Sequence, residues 1–185
     1  MEDYWHAKRR LFTERLRPGG RVVIDERLEQ ALELGETLDL FRLGDLDSTS
    51  ADLGYRAQAS ASGLAFEYCL DGTHHSLDLP LFGTFQAENI AVALGLAHLG
   101  GVTDLAELLR SIPALELGVP GRMMPVTHHP QAPFGRVLVD YAHTPDSLQQ
   151  LYEAFPDKKV IGVLGNTGGG RDTWKRPEMG ALAEK

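Results

Sequence analysis

Val137-Leu138-Val139-Asp140-Tyr141-Ala142-His143-Thr144-Pro145-Asp146 carries a short apolar run directly into a helix-start signal. Val137 to Asp140 reads as a buried strand. Pro145 suits the first turn of a helix, where its missing N–H costs nothing, and Thr144 or Asp146 can assist the cap. A helix over 147–155 follows. Next comes Val160-Ile161-Gly162-Val163-Leu164, an unbroken apolar run of the kind found in parallel strands buried on both faces. A glycine-rich loop over 165–170 then leads into a helix from Lys175, with Pro177 in its first turn. This strand–helix–strand–helix order is the opening of an α/β sheet. Ligands of open α/β sheets sit at the carboxyl ends of the strands, which singles out Asp140 to Asp146. An Asp, an aromatic ring and a His there can hold a ribose hydroxyl and an adenine ring. The same residues also read simply as a well-made helix start.

Upstream, the pattern changes. Residues 2–17 read as a helix with Tyr4, Leu11, Phe12 and Leu16 on one face, stopped by Pro18-Gly19-Gly20. A short strand, 22–25, precedes a helix carrying Leu28, Ala31, Leu32 and Leu34 and ending at Gly35. From about 37 to 80 the chain reads as strands: Thr37 to Leu43, Gly54 to Ser60, Leu64 to Leu70 and His74 to Leu79. Ser62-Gly63 and Asp71-Gly72 are the turn signals between the last three. Helices are expected over 85–98 and 103–111, the second with Thr103 as its N-cap. Leu117-Gly118-Val119-Pro120-Gly121 breaks the pattern, and a domain boundary is expected there, at 117/118.

Composition narrows the function classes. The chain has 185 residues, 43% hydrophobic and 24% charged, as expected of a globular protein. The net charge is −8, and no Lys/Arg stripe is visible, which argues against a nucleic-acid partner. An acidic chain can still bind ATP, because phosphates are held by local groups. The lone cysteine, Cys69, excludes an intrachain disulfide and a cysteine-based zinc site. Met1-Glu2-Asp3-Tyr4-Trp5 is no signal peptide, and no apolar run reaches the ~20 residues of a membrane span. A cytosolic, cytoplasmic location without membrane insertion is the expectation.

Several side chains are candidates for chemistry. Gly165-Asn166-Thr167-Gly168-Gly169-Gly170-Arg171-Asp172 can bring backbone N–H groups to an anion, and Arg171, Lys175 and Arg176 add positive charge. The loop matches neither GxxxxGK[ST] nor GxGxxG, so a plain flexible turn remains open. Lys8 shares a helical face with apolar neighbours. Such a lysine either snorkels to water or takes a chemical role. Asn89, early in a helix, either bonds locally or reaches a ligand. Arg122 follows Pro120-Gly121, where it can touch a ligand or simply be solvated. The adjacent pairs His74-His75 and His128-His129 point to opposite faces if they lie on strands, so neither reads as a metal site.

Five motifs in this order resemble the Mur ligase family, especially the UDP-N-acetylmuramoyl-tripeptide synthetases. They are Met1-Glu2-Asp3-Tyr4-Trp5 with Ala7-Lys8 and Leu11-Phe12; Gly83-Thr84-Phe85 with Asn89; Gly121-Arg122-Met123; Asp140 to Asp146; and Gly169-Gly170-Arg171-Asp172 with Lys175-Arg176-Pro177-Glu178-Met179-Gly180. The resemblance implies an α/β fold: a partial Mur-ligase central ATPase domain over 1–117, followed by the start of a Rossmann-like C-terminal domain over 118–185. It implies an ATP- and Mg2+-dependent ligase. Such an enzyme activates a UDP-N-acetylmuramoyl-peptide carboxylate as an acyl phosphate and joins it to an amino acid, for peptidoglycan synthesis. Lys8 matches the family's carbamylated lysine, a metal ligand through its carbamate. Asn89, Arg122, Asp140 and His143 match positions around ATP, and Arg171 and Lys175 match positions near the substrates. The family's phosphate loop and its Asp-Asn-Pro-Arg block do not occur in these residues, so the isolated chain is expected to be inactive and prone to associate. Thr173-Trp174 stands where Lys-Gly is common, which leaves the added amino acid open. A folylpolyglutamate- or cyanophycin-synthetase-like ligase and a non-catalytic nucleotide-binding module are the alternatives.

Overall fold

The computed structural model describes residues 2–34, 38–60, 63–111, 119–126, 137–155, 158–165, 170 and 173–184. The chain divides into two compact units, Met1–Ile112 and Pro113–Lys185. The boundary expected at 117/118 lies outside the described residues.

The first unit is built on a five-stranded sheet in simple sequence order. Its elements are α1 (Glu2–Glu14), β1 (Arg21–Asp25), α2 (Glu26–Leu32), β2 (Asp39–Asp45), β3 (Leu53–Ala59), β4 (Leu64–Leu70), β5 (Thr73–Leu79), α3 (Gln86–Leu99) and α4 (Leu105–Ser111). β1, β2 and β3 are parallel, whereas β3–β4 and β4–β5 are antiparallel. Parallel neighbours ordinarily need a long crossover, yet only residues 46–52 join β2 to β3. The short link suffices because the two strands overlap over three pairs alone, Leu43↔Leu53 to Asp45↔Tyr55.

Burial follows this topology. One face of the sheet packs α3 and α4 against Phe41, Leu43, Leu53, Leu64, Phe66, Tyr68 and Leu79. The other face of β1 and β2 buries Val22, Ile24 and Leu40 with Leu32 and Leu34, and Phe12 and Leu16 pack against them. β1 and β2 are therefore covered twice, while β4 alternates buried Leu64, Phe66 and Tyr68 with more accessible positions. Gly95 is what lets α3 lie so close to the sheet: a Cβ there would stand 2.9 Å from the Val23 side chain and 3.3 Å from Phe41.

Several local expectations are corrected. Helix α1 ends at Glu14, and of its apolar face only Phe12 joins the core; Tyr4 and Leu11 are each 58% exposed. Asp71 and Gly72 make the expected β4–β5 hairpin turn, both with positive φ. At the β3–β4 corner Ser60 and Gly63 exchange two backbone hydrogen bonds, of 3.0 and 3.3 Å. Ser62 of the expected Ser62-Gly63 turn lies outside the described residues. Asp104, not Thr103, caps α4: its Oδ1 accepts from the Glu107 N–H at 2.8 Å, since Asp104 directly precedes the first helical residue.

In the second unit, β6 (Met124–Val126) and β7 (Val137–Val139) form an antiparallel pair. Helices α5 (Pro145–Glu153) and α6 (Lys175–Ala183) pack together. Leu148 and Met179 are the buried apolar residues of these two helices. The strand expected over 160–164 is not formed; Ile161 is 83% and Val163 96% exposed. An apolar run becomes a parallel strand only where neighbours supply ladder partners and cover both faces, and no described residue pairs with this one.

Candidate functional site

The second unit gathers three of the expected residues around the end of β7. Asp140 follows the strand directly and does its work through the backbone. Its Oδ2 accepts from the Met123 N–H and its Oδ1 from the Ala142 N–H, both at 2.8 Å. Met123 is buried and holds a positive φ of 45°, a conformation that costs a non-glycine residue about 1 kcal/mol or more. The Asp140 carboxylate compensates by taking up the N–H of that strained residue.

This brace fixes the turn on which Arg122 sits. The Arg122 N–H donates to the Val119 carbonyl at 3.0 Å, and Gly121 supplies the second positive φ, 74°. The Arg122 guanidinium lies over the Tyr141 ring, 5.2 Å from its centroid. On the same ring, His143 stands 4.7 Å away centroid to centroid, with its Nδ1 3.0 Å from the Tyr141 carbonyl oxygen. Tyr141 is 53% exposed. A cation, a phenol and an imidazole thus share one accessible ridge, which can stack on a planar ring and attract an anion. The ridge ends at the start of α5, where Thr144 and Ser147 form a reciprocal capping box. The helix-start reading of Asp140 to Asp146 is therefore met, and the same stretch presents polar groups.

On α6, Lys175 is 6% exposed and Arg176 is exposed. Arg171 lies outside the described residues, as do His128 and His129. In the first unit, Lys8 is exposed on α1 with its Nζ 5.4 Å from the Tyr4 ring centroid. Of the two readings of Lys8, its side chain reaches water, and Tyr4 and Leu11 beside it are themselves exposed. Asn89 is exposed in the first turns of α3, and its Nδ2 donates to Gln86 Oε1 at 3.0 Å. Among the described residues no three His, Cys, Asp or Glu side chains come together as a metal site. His75 stacks on Tyr68 at 4.7 Å while His74 is exposed.

An ion pair with a buried carboxylate and an exposed guanidinium escaped the sequence reading. Asp25, 5% exposed at the end of β1, receives Arg27 Nε and Nη2, both at 2.7 Å, and the Arg27 N–H at 2.8 Å. Burial pushes the Asp25 carboxyl up, but the Arg27 side chain, its N–H and its charge outweigh this and hold it below the ordinary carboxylate range. The hydrogen bonds to Asp25, with its charge, raise the Arg27 guanidinium in turn. An Asp closing an apolar strand two residues before an Arg was the available signal. It was hidden because those residues also read as ordinary helix-start acids and bases.

Comparison with known proteins adds a second line. Residues 121–185 match the family model "Mur ligase, glutamate ligase domain". The whole chain aligns, at 37% identity over 193 residues, with a UDP-N-acetylmuramoyl-L-alanyl-D-glutamate--2,6-diaminopimelate ligase of Caulobacter vibrioides. It aligns at 37% identity over 195 residues with the protein of the same description from Thermosynechococcus vestitus. The chain spans 38% and 37% of the length of these relatives. A solved structure of a ligase of the same description superposes with a TM-score of 0.61 at 29% identity, covering 99% of this chain and 38% of the other. Folylpolyglutamate synthetase from Lactobacillus casei shares the fold, with a TM-score of 0.62 at 17% identity over 88% of this chain and 41% of the other.

Proposed function

We propose that this chain, a relative of the Mur ligases along its whole length, serves ATP-dependent amide-bond formation in peptidoglycan precursor synthesis. Residues 1–117 are assigned to the later part of a central ATP-binding domain, and 118–185 to the beginning of the C-terminal ligase domain. The proposed substrates are ATP, UDP-N-acetylmuramoyl-L-alanyl-D-glutamate and 2,6-diaminopimelate, the last two taken from the names of the relatives. These are water-soluble molecules, which fits a cytoplasmic reaction. No helix among the described residues is long and apolar enough to cross a membrane.

The observation that carries the reading is the ridge of Arg122, Tyr141 and His143, braced by Asp140. Such a ridge can stack against a nucleobase and meet the charge of a nucleotide, while Asp140 keeps acceptor lone pairs for a ribose hydroxyl. Asn89 is the first unit's candidate for ATP contact, through an amide that both donates and accepts. Lys175 and Arg171 are the candidates for the acidic precursor and the amino acid. Together these residues would bind and orient, and positive charge near the transferred phosphoryl group would favour the transition state.

Magnesium is the group the family implies. Lys8, as a carbamate, would supply one anionic oxygen donor, and the described residues bring no cluster of further ligands to it. The described residues do not make a magnesium site by themselves.

The test is amide formation by the full polypeptide encoded by the reading frame that carries these residues. With ATP, the UDP-dipeptide precursor and a panel of amino acids, mass spectrometry should show one new amide per ATP cleaved, with 2,6-diaminopimelate preferred. Coupling of glutamate to a folate instead would move the chain to the folylpolyglutamate branch. Nucleotide binding without any coupling would leave only a binding module.

A further inference from the structure

The segments that carry Arg122 and Tyr141 face each other just beyond the last rung of a β ladder. β6 and β7 pair through Val126↔Val137, Pro125↔Leu138 and Met124↔Val139. The same antiparallel register, carried one and two positions further, sets Met123 opposite Asp140 and Arg122 opposite Tyr141. Backbone pairing stops at Met124, yet both further positions are joined through side chains. Between Met123 and Asp140 the link is the carboxylate, whose Oδ2 accepts from the Met123 N–H at 2.8 Å. Between Arg122 and Tyr141 it is the guanidinium over the ring, 5.2 Å from its centroid.

Met123 is where the ladder gives way. Its φ is 45° and it is 6% exposed. In a regular strand the side chains of 122 and 124 would leave on one side and that of 123 on the other. A left-handed residue between them breaks this alternation. Just upstream, Pro120 and Gly121 fit the two central positions of a type II turn: the Arg122 N–H donates to the Val119 carbonyl at 3.0 Å, and Gly121 supplies the required positive φ of 74°. Met123 therefore joins a closed turn to a paired strand. Glycine would hold this conformation at no steric cost, whereas methionine holds it and adds a buried side chain. Strain of this kind persists only where its surroundings enforce it, and the Asp140 carboxylate does so here.

We propose that Met123 is a positioning residue for nucleotide binding: its left-handed backbone, held by Asp140, aims Arg122 across the end of the ladder onto Tyr141. The proposal rests on the reading of the Arg122–Tyr141–His143 ridge as an ATP contact. It adds a residue that touches no ligand and acts on KM through Arg122.

The experiment compares variants of the full polypeptide, with KM for ATP and kcat read separately and the melting temperature followed in parallel. Leucine and isoleucine are isomers that differ in branching, and a β-branched residue fits a positive φ poorly. Met123→Ile should raise KM for ATP about fivefold with kcat within about twofold, whereas Met123→Leu should stay within about twofold of the wild type in both. Met123→Val, smaller but also β-branched, should raise KM in the same direction, so that the test does not hang on the folding of one variant. Met123→Gly keeps the conformation and loses the buried side chain; it should lower the melting temperature and leave KM within about twofold. In an Arg122→Ala background, Met123→Ile should produce no further rise, because it acts through Arg122. Three results would each make Met123 structural only and overturn the proposal while the ATP reading stands: β-branched variants that lower the melting temperature but leave KM unchanged, a rise with Met123→Gly as large as with Met123→Ile, or full additivity of Met123→Ile with Arg122→Ala. If Arg122→Ala itself leaves KM unchanged, the ATP reading of the ridge falls and the positioning role falls with it.

Discussion

Strand β2 and residues 160–164 are both segments with apolar residues that the sequence presents as strands, yet they end in opposite surroundings. In β2, Phe41 is 4% and Leu43 0% exposed, with β1 and β3 on either edge and apolar clusters on both faces. In 160–164, Ile161 and Val163 face solvent and no ladder forms. The difference teaches that an apolar run records a capacity for burial, and that its neighbours decide whether the capacity is used. Burial at ~25 cal/mol per Å2 rewards the first segment and gives the second nothing in this structure.

That contrast is most sharply broken by cutting into each segment. Leu43→Ala leaves a cavity in a region packed from both sides and should cost about 3 kcal/mol in denaturant unfolding. Ile161→Ser should change stability by no more than about 0.5 kcal/mol. Equal losses at the two positions would erase the distinction.

The ion pair at the end of β1 sharpens it on the polar side. Asp25→Asn should destabilise the first unit by about 1–2 kcal/mol near neutral pH, by leaving a buried site with weaker partners. The folded-state value of Asp25 is depressed, so its contribution is complete above the ordinary carboxylate value of about 4 and disappears as pH falls through the lower folded value. Unfolding curves of the wild type and Asp25→Asn should therefore converge in strong acid and separate above it; a gap independent of pH would show that the charge is not responsible.

A smaller loss than at Leu43 or Asp25 is expected at the α5 cap in the second unit. Thr144→Ala removes the α5 capping box and should cost about 1 kcal/mol, read as a lower melting temperature for that unit. A Thr144→Ser substitution retains the cap and should restore most of it.

Much of the first unit was legible because its signals agreed with each other. Period-2 alternation in β4, the Asp71-Gly72 turn and the apolar stripe of α3 all point to one sheet covered by helices. Boundaries shifted where a neighbouring residue competed for the same task, as Asp104 did with Thr103. The motif residues Arg122, Asp140 and His143 could be named from the sequence, but not what each does. Asp140 spends one oxygen on the Ala142 N–H and the other on the N–H of Met123, whose positive φ no local pattern announces. Lys8 shows the reverse: its helical face was apolar on paper, but exposure of Tyr4 and Leu11 leaves it in water.

The nucleotide claim rests most heavily on the ridge at the end of β7, and one substitution reaches it with little disturbance to the fold. Arg122 is exposed, and its side chain meets the Tyr141 ring. In the full polypeptide, Arg122→Ala should raise KM for ATP about tenfold or more, with the melting temperature unchanged, as expected when a charged contact to a ligand is lost. An Arg122→Ala enzyme with the KM for ATP of the wild type would contradict the account.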